Sequence, residues 1–286
     1  MQADEKLKRK LTNIREKHKA SGTRHEAKTE VKEFRKNLDV LDTIDPATVI
    51  DLMLTYRAIE DWDGMIELFN DMPEILKRQV LVREQLGFAY NRRAGKNEDV
   101  SDRAKALDIL EEIAKQNGPS SETLGLIGRI HKDLWKEALE AKEDWVAEGR
   151  LDQAINAYRR GYLADQRDAY PGINLLTLLD IQGEEESLKE KERLAPVVKF
   201  AVEQRLSGVA PDYWDYATMI ELAVLENHPH EAKKHLAKAV VAIRETWEPK
   251  TTANNLKMIE RSRKLRGEET SWLGDIITEL EKRASS

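Results

Sequence analysis

The chain has 286 residues, of which 35% are charged and 40% hydrophobic, and its net charge is −6. This apolar share permits a core, but so many charges need more surface than a compact globule offers, which favours an elongated stack of helices. The absence of cysteine excludes disulfides, thiolate zinc sites and cysteine nucleophiles. No apolar run approaches the roughly 18 residues of a membrane span. The N-terminus has no apolar signal region, so we expect a cytoplasmic protein.

The N-terminal segment, residues 1–40, is predicted to be a basic, charged helical arm. Residues 1–38 hold 12 Lys and Arg against 6 Asp and Glu, and they favour two helices separated at Ser21-Gly22. Such an arm could bind nucleic acid or an acidic partner, or it could lie on the acidic body of its own chain. The sequence pI near 5.7 and the single aromatic residue of the arm, Phe34, argue against nucleic-acid binding.

The pattern from residue 41 to 286 predicts one domain of paired helices. Asp45-Pro46 supplies an N-cap and a first helical residue. Six pairs follow, at 46–60 with 63–71, 79–94 with 102–117, 121–147 with 151–164, 170–182 with 187–206, 212–227 with 229–246, and 250–266 with 270–284. The predicted breaks are Gly95, Gly118-Pro119, Gly149, Gly183, Gly208, Pro211, Pro249 and Gly267. No stretch alternates with a period of two, so we predict no sheet.

Several pairs fit the tetratricopeptide (TPR) pattern, in which L-G-x2-Y in the first helix meets A-x3-F in the second. Leu86-Gly87-x2-Tyr90 matches the first element, and Ile127-Gly128-x2-His131 is a degraded copy. The second element occurs as Met65-x3-Phe69, Ala106-x3-Leu110, Ala154-x3-Tyr158 and Ala232-x3-Leu236. We therefore predict an all-α, right-handed, TPR-like solenoid of antiparallel helix pairs, with the N-terminal helical arm attached.

A series of linked motifs is more specific than any single TPR match. The motifs are Gly128-Arg129-Ile130-His131-Lys132-Asp133, Ala154-Ile155-x2-Tyr158-Arg159-x-Gly161, Tyr170-Pro171-Gly172-Ile173-Asn174, Tyr213-Trp214-Asp215-Tyr216-Ala217-Thr218 and Trp247-Glu248-Pro249. Together they resemble the TRAFs-binding domain of the MAP3K family, the TPR-like regulatory region of apoptosis-signal-regulating kinases that also occurs in bacterial proteins. His131 departs from the tyrosine expected there. A further departure is that the eukaryotic members carry a kinase domain, for which this chain has no room. The resemblance implies a regulatory or scaffold module, and it does not name the partner.

Motifs that would indicate catalysis are absent from the sequence. There is no phosphate-binding G-x4-G-K-[ST] loop, no G-x-G-x-x-G after a strand and no G-x-S-x-G nucleophile elbow. His230 and His235 stand five residues apart, so they diverge on a helix instead of sharing the face that a metalloprotease needs. We predict no enzyme activity, no cofactor and no metal site.

A strip of polar residues is the candidate binding site. First helices line the concave face of a TPR stack, and aligning Gly87 with Gly128 places Asn91 and Arg92 level with Lys132 and Asp133. The strip also includes Arg129, one turn from Lys132, and Arg57, one repeat earlier. Guanidinium and amide donors suit the carboxylates of an acidic peptide. The alternative is that these residues form salt bridges between repeats.

Aromatic residues at helix starts extend the candidate site. Tyr170 and Asn174 are either groove contacts or capping and packing residues, and Trp214 is either a partner anchor or part of the core. The remaining tryptophans are predicted to pack between repeats, namely Trp62, Trp135, Trp145, Trp247 and Trp272. The predicted function is a non-catalytic scaffold or regulatory module of a signalling system that binds a protein or peptide in the concave groove. The alternative is a sensor of a small anionic ligand or nucleotide in the same groove.

Overall fold

The chain is all-α, and the computed structural model contains no strand among the residues it describes. Those residues are 2–19, 24–38, 40–97, 100–208 and 210–285. The chain divides into two compact units, Met1–Gly118 and Pro119–Ser286, and their boundary is the predicted break at Gly118-Pro119. No helix in the described ranges has the length and hydrophobicity needed to cross a bilayer.

Unit 1 contains seven α-helices within its described residues and a 3-10 turn at Leu41–Thr43. The helices are α1 (Gln2–Lys19), α2 (Arg24–Lys36), α3 (Pro46–Ala58), α4 (Trp62–Asp71), α5 (Glu74–Lys77), α6 (Val80–Asn97) and α7 (Val100–Asn117). The side chain of Asp45 accepts from the amide of Ala47 and Pro46 opens α3, so the predicted start is confirmed. The predicted break at Ser21-Gly22 lies outside the described residues.

The basic helices α1 and α2 pack on the rest of unit 1 and share its core. Leu11 and Val31 are fully buried in the cluster that also holds Leu52 of α3. Arg15 Nη1 lies 2.8 Å from Asp51 Oδ1. Arg35 Nη2 lies 3.0 Å from Asp71 Oδ2, and Lys28 donates to the carbonyl of Glu60. Cations of this segment therefore meet acidic residues and a carbonyl of their own chain. The predicted domain boundary after residue 40 stays a prediction.

Unit 2 consists of eight helices among its described residues. They are α8 (Ser121–Glu140), α9 (Asp144–Ala164), α10 (Ala169–Gln182), α11 (Glu185–Leu206), α12 (Tyr213–Leu225), α13 (Pro229–Val241), α14 (Trp247–Leu265) and α15 (Leu273–Ala284). They form four consecutive hairpins, and the first helices of these hairpins, α8, α10, α12 and α14, also contact one another. These first helices make up the inner layer of the unit.

The TPR positions bring the helices of a hairpin together as predicted. A Cβ on Gly87 would lie 2.9 Å from Leu110 Cγ, and one on Gly128 would lie 2.9 Å from the ring of Tyr158. Only glycine permits these approaches. His131, at the degraded aromatic position, is buried. Burial, with a smaller effect of Arg150, lowers the pKa of His131 to about 4, so it packs as a neutral ring.

An ion pair in the inner layer ties α14 to α10. Arg263 Nε donates to Asp180 Oδ2 at 3.0 Å, and its Nη2 donates to Oδ1 at 2.8 Å. Arg263 also donates to the carbonyls of Val224 and Leu225 at the end of α12. Lys191 Nζ adds a third contact to Asp180 at 2.7 Å. Three of the four hairpins are thus joined through the Arg263 guanidinium.

Some predicted breaks are wrong. Helix α8 ends at Glu140 and the chain turns at Lys142, whose φ is 59°, so Gly149 lies inside α9. Gly95 lies inside α6, where a helix tolerates glycine at a cost of about 1 kcal/mol. Pro249 lies in the first turn of α14, where the missing N–H is not needed. The predicted packing of Trp145 is also wrong, because 88% of this residue is exposed.

Candidate functional site

In unit 1, the structure brings Arg57 and Arg92 together on one aromatic ring. The guanidinium carbon of Arg57 lies 4.3 Å from the ring centroid of Phe88, and that of Arg92 lies 5.0 Å from it. Arg57 Nη1 also donates to Gln85 Oε1 at 2.9 Å. Trp62 meets the same ring edge-on at 5.7 Å. Cation–π contacts thus orient both arginines on α3 and α6.

Asn91 does not join this pair of arginines at the surface. Its side chain is 5% exposed, and Asn91 Oδ1 accepts a hydrogen bond from Nη1 of Arg103 on α7. The amide therefore holds the α6–α7 hairpin together, which corresponds to the alternative of contacts between helices.

In unit 2, Arg129, Asp133 and Tyr170 form one patch. Arg129 Nε donates to both carboxylate oxygens of Asp133, at 3.2 and 3.1 Å. Asp133 raises the pKa of Arg129, and Tyr170 and Tyr158 add to the shift. The ring of Tyr170 meets that of Tyr158 edge-on at 6.1 Å, while Tyr170 remains 38% exposed. The guanidinium is therefore charged and held in place beside a partly exposed ring.

Lys132 and Asn174 lie inside the inner layer. Lys132 is 1% exposed, and its Nζ donates to Asn174 Oδ1 of α10 and to Asn255 Oδ1 of α14, at 3.0 Å in each case. Asn174 Nδ2 donates in turn to the carbonyl of Tyr170 at 3.0 Å. The ammonium thus links three of the first helices and serves their packing.

The negative partner of this ammonium is Glu221 of α12, reached through an amide. Asn255 Nδ2 donates to Glu221 Oε1 at 3.0 Å, and the Thr177 hydroxyl donates to Oε2 at 3.4 Å. Burial lowers the pKa of Lys132 to about 7 and raises that of Glu221. We call Lys132, Asn174, Asn255, Glu221 and Thr177 the amide centre.

Trp214 stands at the start of α12 in a cluster of aromatic rings. Its ring meets Tyr213 edge-on at 5.3 Å and lies 5.5 Å from Trp247, which opens α14. Asp212 caps α12 through the amides of Trp214 and Asp215 in a capping box. Trp214 is half-buried and Trp247 is 44% exposed.

Polar contacts join the N-terminal ends of the first helices. Ser121 at the start of α8 donates to Asp168, the N-cap of α10, at 2.8 Å. Arg244, just before α14, bonds Asp212 at 3.4 Å and Glu248 at 3.0 Å. The partly exposed rings of Tyr170, Trp214 and Trp247 each lie in the first turn of one of these helices. We call these three residues the aromatic rim.

Sequence reasoning missed Glu221, Asn255, Thr177 and the exposed part of Trp247. One signal was present for Glu221 and also for Asp180, because each is an acidic residue within a largely apolar stretch of its helix. An acidic residue on such a helix must find a buried partner. No pattern marks Asn255, since it lies 123 residues from Lys132 along the chain.

Comparison with known proteins assigns the chain to a family. The family model described as the MAP3K TRAFs-binding domain matches residues 1–277. The chain belongs to the MAP3K TRAFs-binding domain family. The resemblance inferred from the linked motifs is thereby confirmed.

Curated relatives of this TRAFs-binding domain protein are longer than the chain. Mitogen-activated protein kinase kinase kinase nsy-1 of Caenorhabditis elegans is 34% identical over 244 residues, which cover 80% of this chain and 16% of that protein. Mitogen-activated protein kinase kinase kinase 15 of Mus musculus is 26% identical over 267 residues, covering 91% and 19%. The chain therefore spans less than a fifth of either relative.

A solved structure supports the fold class. A thermophilic TPR protein of Thermus thermophilus aligns with a TM-score of 0.53 and 13% identity, covering 74% of this chain and 99% of that one. At this identity the likeness shows the fold alone. The predicted all-α, TPR-like class is confirmed.

Proposed function

We propose that the chain is a non-catalytic protein-interaction module of a signalling system, and that the inner side of unit 2 receives a segment of the partner. The observation that carries this proposal is the aromatic rim. Tyr170, Trp214 and Trp247 occupy the first turn of three successive first helices, and each ring is supported by a neighbouring ring while part of it faces solvent. Tyrosine and tryptophan held in this way are typical of binding hot spots.

Arg129 and Asp133 complete this proposed surface, whereas Lys132 and Asn174 act beneath it. The Arg129–Asp133 pair lies one helical turn from the buried Lys132 ammonium, and Tyr170 contributes to the raised pKa of Arg129. Lys132 and Asn174 fix α10 against α8 and α14, and Asn174 holds the backbone at Tyr170. A partner segment would therefore meet a rigid surface and would order few side chains on binding.

The proposed rim is tested with single substitutions and a purified partner. Because the family is described by its binding of TRAFs, a TRAF protein is the first partner to titrate by calorimetry. Tyr170→Ala and Trp247→Ala should each weaken binding at least about tenfold, as expected for hot-spot residues. Phe200→Ala on α11 is the matched control, since this ring is 60% exposed and belongs to a second helix.

Wild-type binding by folded rim variants would contradict the proposed role of the rim. If both rim variants keep their helical circular dichroism and bind the partner as tightly as the wild type, the rim is not the binding surface. If the TRAF protein does not bind at all, capture from lysate with wild type and Trp247→Ala side by side shows whether another protein depends on the rim.

We further propose that the partner of unit 1 is acidic at the point of contact. The guanidinium carbons of Arg57 and Arg92 lie 4.3 and 5.0 Å from the ring centroid of Phe88. Arg57→Gln with Arg92→Gln should weaken binding and reduce its dependence on salt, whereas Arg78→Gln, an exposed control, should change neither. A small anionic ligand or nucleotide stays the alternative, and a thermal shift with nucleotides that the double variant abolishes would favour it.

A further inference from the structure

Trp145 is the most exposed of the six tryptophans of the chain. It is 88% exposed, compared with 44% for Trp247 at the rim. The α8–α9 hairpin does not need the indole of Trp145 for packing. Ala138 and Ala147 already close the hairpin and are 5% and 2% exposed. A large apolar ring that contributes nothing to the hairpin is a candidate anchor for another molecule.

The backbone around Trp145 is fixed by helices. Residues 140–148, which we call the tip, comprise the last residue of α8, the turn and the first residues of α9. Every side chain of the tip except that of Ala147 is exposed. Val146 is 48% exposed beside Trp145 in the first turn of α9. The apolar pair is therefore presented by regular structure, so binding would cost little ordering.

The tip is acidic around this apolar pair. Glu140, Glu143 and Asp144 precede Trp145, and Glu148 follows Val146, while Lys142 is the single base of residues 140–148. None of these four carboxylates forms an ion pair within the described parts of the chain. A net charge of −3 in so short a segment repels anionic membrane surfaces and nucleic acid. A partner surface that is complementary to the tip therefore carries an apolar strip with cations on both sides.

We propose that the tip is a docking surface for a Lys- and Arg-rich amphipathic helix of a partner protein. Such a helix offers an apolar strip that receives Trp145 and Val146, and its flanking cations meet Glu143, Asp144 and Glu148. The tip follows the last turn of α8, whereas Ser121 places the start of α8 beside the N-terminal end of α10 that carries the rim. The two surfaces therefore lie at opposite ends of the α8–α9 hairpin, and this proposal does not depend on the rim.

The test uses the full chain and a synthetic amphipathic helical peptide of leucine and lysine as the probe. Calorimetry should detect saturable binding, and Trp145→Ala should weaken it at least about tenfold. Phe200→Ala is again the matched aromatic control and should leave binding unchanged. Tryptophan emission should shift to shorter wavelength when the peptide binds the wild type, and Trp145→Phe should remove that shift.

The acidic contribution is tested separately from the ring. Glu143→Gln with Asp144→Asn should weaken peptide binding several-fold and lower its salt dependence. Glu185→Gln with Glu186→Gln neutralises two exposed acids in the first turn of α11 and should change neither. Three results would each overturn the proposal: no saturable binding to the wild type, equal binding by Trp145→Ala, or preferential binding of the wild type to anionic phosphatidylserine vesicles.

Discussion

Two of the places where unit 2 buries charged side chains stabilise them in opposite ways. At one, Arg263 grips Asp180 directly through two parallel hydrogen bonds of 3.0 and 2.8 Å. At the other, the amide of Asn255 stands between Lys132 and Glu221. Both places join α10 to α14, so the same helices are held by a direct ion pair and by the amide centre.

The pKa directions show what direct contact achieves. Burial alone would raise the pKa of Asp180, but Arg263 and Lys191 together more than offset it, and the pKa is lowered. At the amide centre burial prevails, so the pKa of Lys132 falls and that of Glu221 rises. A buried charge therefore stays favourable when its counter-ion touches it and becomes costly when an amide intervenes.

The largest expected effect comes from removing the direct partner. Arg263→Ala leaves the Asp180 carboxylate buried beside Lys191 and the more distant Arg266, and it should lower the free energy of unfolding by about 3–5 kcal/mol. Urea denaturation measures the loss. Arg283→Ala, which breaks an exposed pair with Glu279, should cost less than about 0.5 kcal/mol. If the two variants lose similar amounts of the free energy of unfolding, the buried Asp180 pair stabilises the fold no more than an exposed pair does.

Removing the ammonium of the amide centre should cost less. Lys132→Met leaves Glu221 with its donors Asn255 and Thr177, and this carboxyl can take up a proton. We expect a loss of about 2 kcal/mol in the same urea experiment. Lys142→Met on the exposed turn serves as the control. A loss as large as that of Arg263→Ala would mean that the amide centre is no weaker than the direct pair.

The dependence of stability on pH should separate the two groups of the amide centre. The pKa of Lys132 is about 7 in the folded chain and 10.5 for the free group, so between these values the unfolded chain binds more protons. Stability from this group therefore rises with pH, by at most about 1.4 kcal/mol per unit. Glu221 acts in the opposite direction just above its ordinary pKa, because its folded pKa is raised.

Urea denaturation at several pH values tests this opposition. Lys132→Met should abolish the rise in stability with increasing pH above pH 7. Glu221→Gln should abolish the loss of stability that occurs as the pH rises just above the ordinary pKa of a glutamate. If both variants follow the wild-type profile, the two groups do not titrate as their surroundings indicate.

The smallest effect is expected at the edge of the direct pair. Lys191→Ala removes one contact to Asp180 but leaves both bonds from Arg263. The free energy of unfolding should fall by about 1 kcal/mol. Lys189→Ala, an exposed neighbour paired with Glu185, should change it by less than about 0.5 kcal/mol. If the loss matched that of Arg263→Ala, the bidentate geometry would not be what stabilises Asp180.

The fold was predictable because its signals are local. The N-cap residue Asp45 starts the helix that directly follows it. Gly87 and Gly128 each contact a large residue, Leu110 or Tyr158, on the second helix of the same hairpin. Helix ends without a glycine or proline were less predictable. The α8–α9 turn is made by Lys142 with a positive φ, while the nearby Gly149 sits inside a helix.

The candidate site was predictable only in part. Equating Gly87 with Gly128 located the face that carries Arg92 and Lys132, but it could not tell a surface cation from a buried one. Lys132 is buried because Asn255 and Glu221 arrive from helices far along the chain to receive it. Such long-range partners leave no spacing in the sequence, and the same holds for the exposure of Trp145.

The burial of Lys132 also makes it a reporter of motion. Burial lowers the pKa of its amine, which favours the neutral and nucleophilic form, and only 1% of the residue is exposed. An acylating reagent can reach it only when the first helices separate. Its labelling rate, divided by that of the exposed Lys142, therefore gives the fraction of time that the inner layer of unit 2 spends open, and a bound partner that holds the layer closed should slow this labelling.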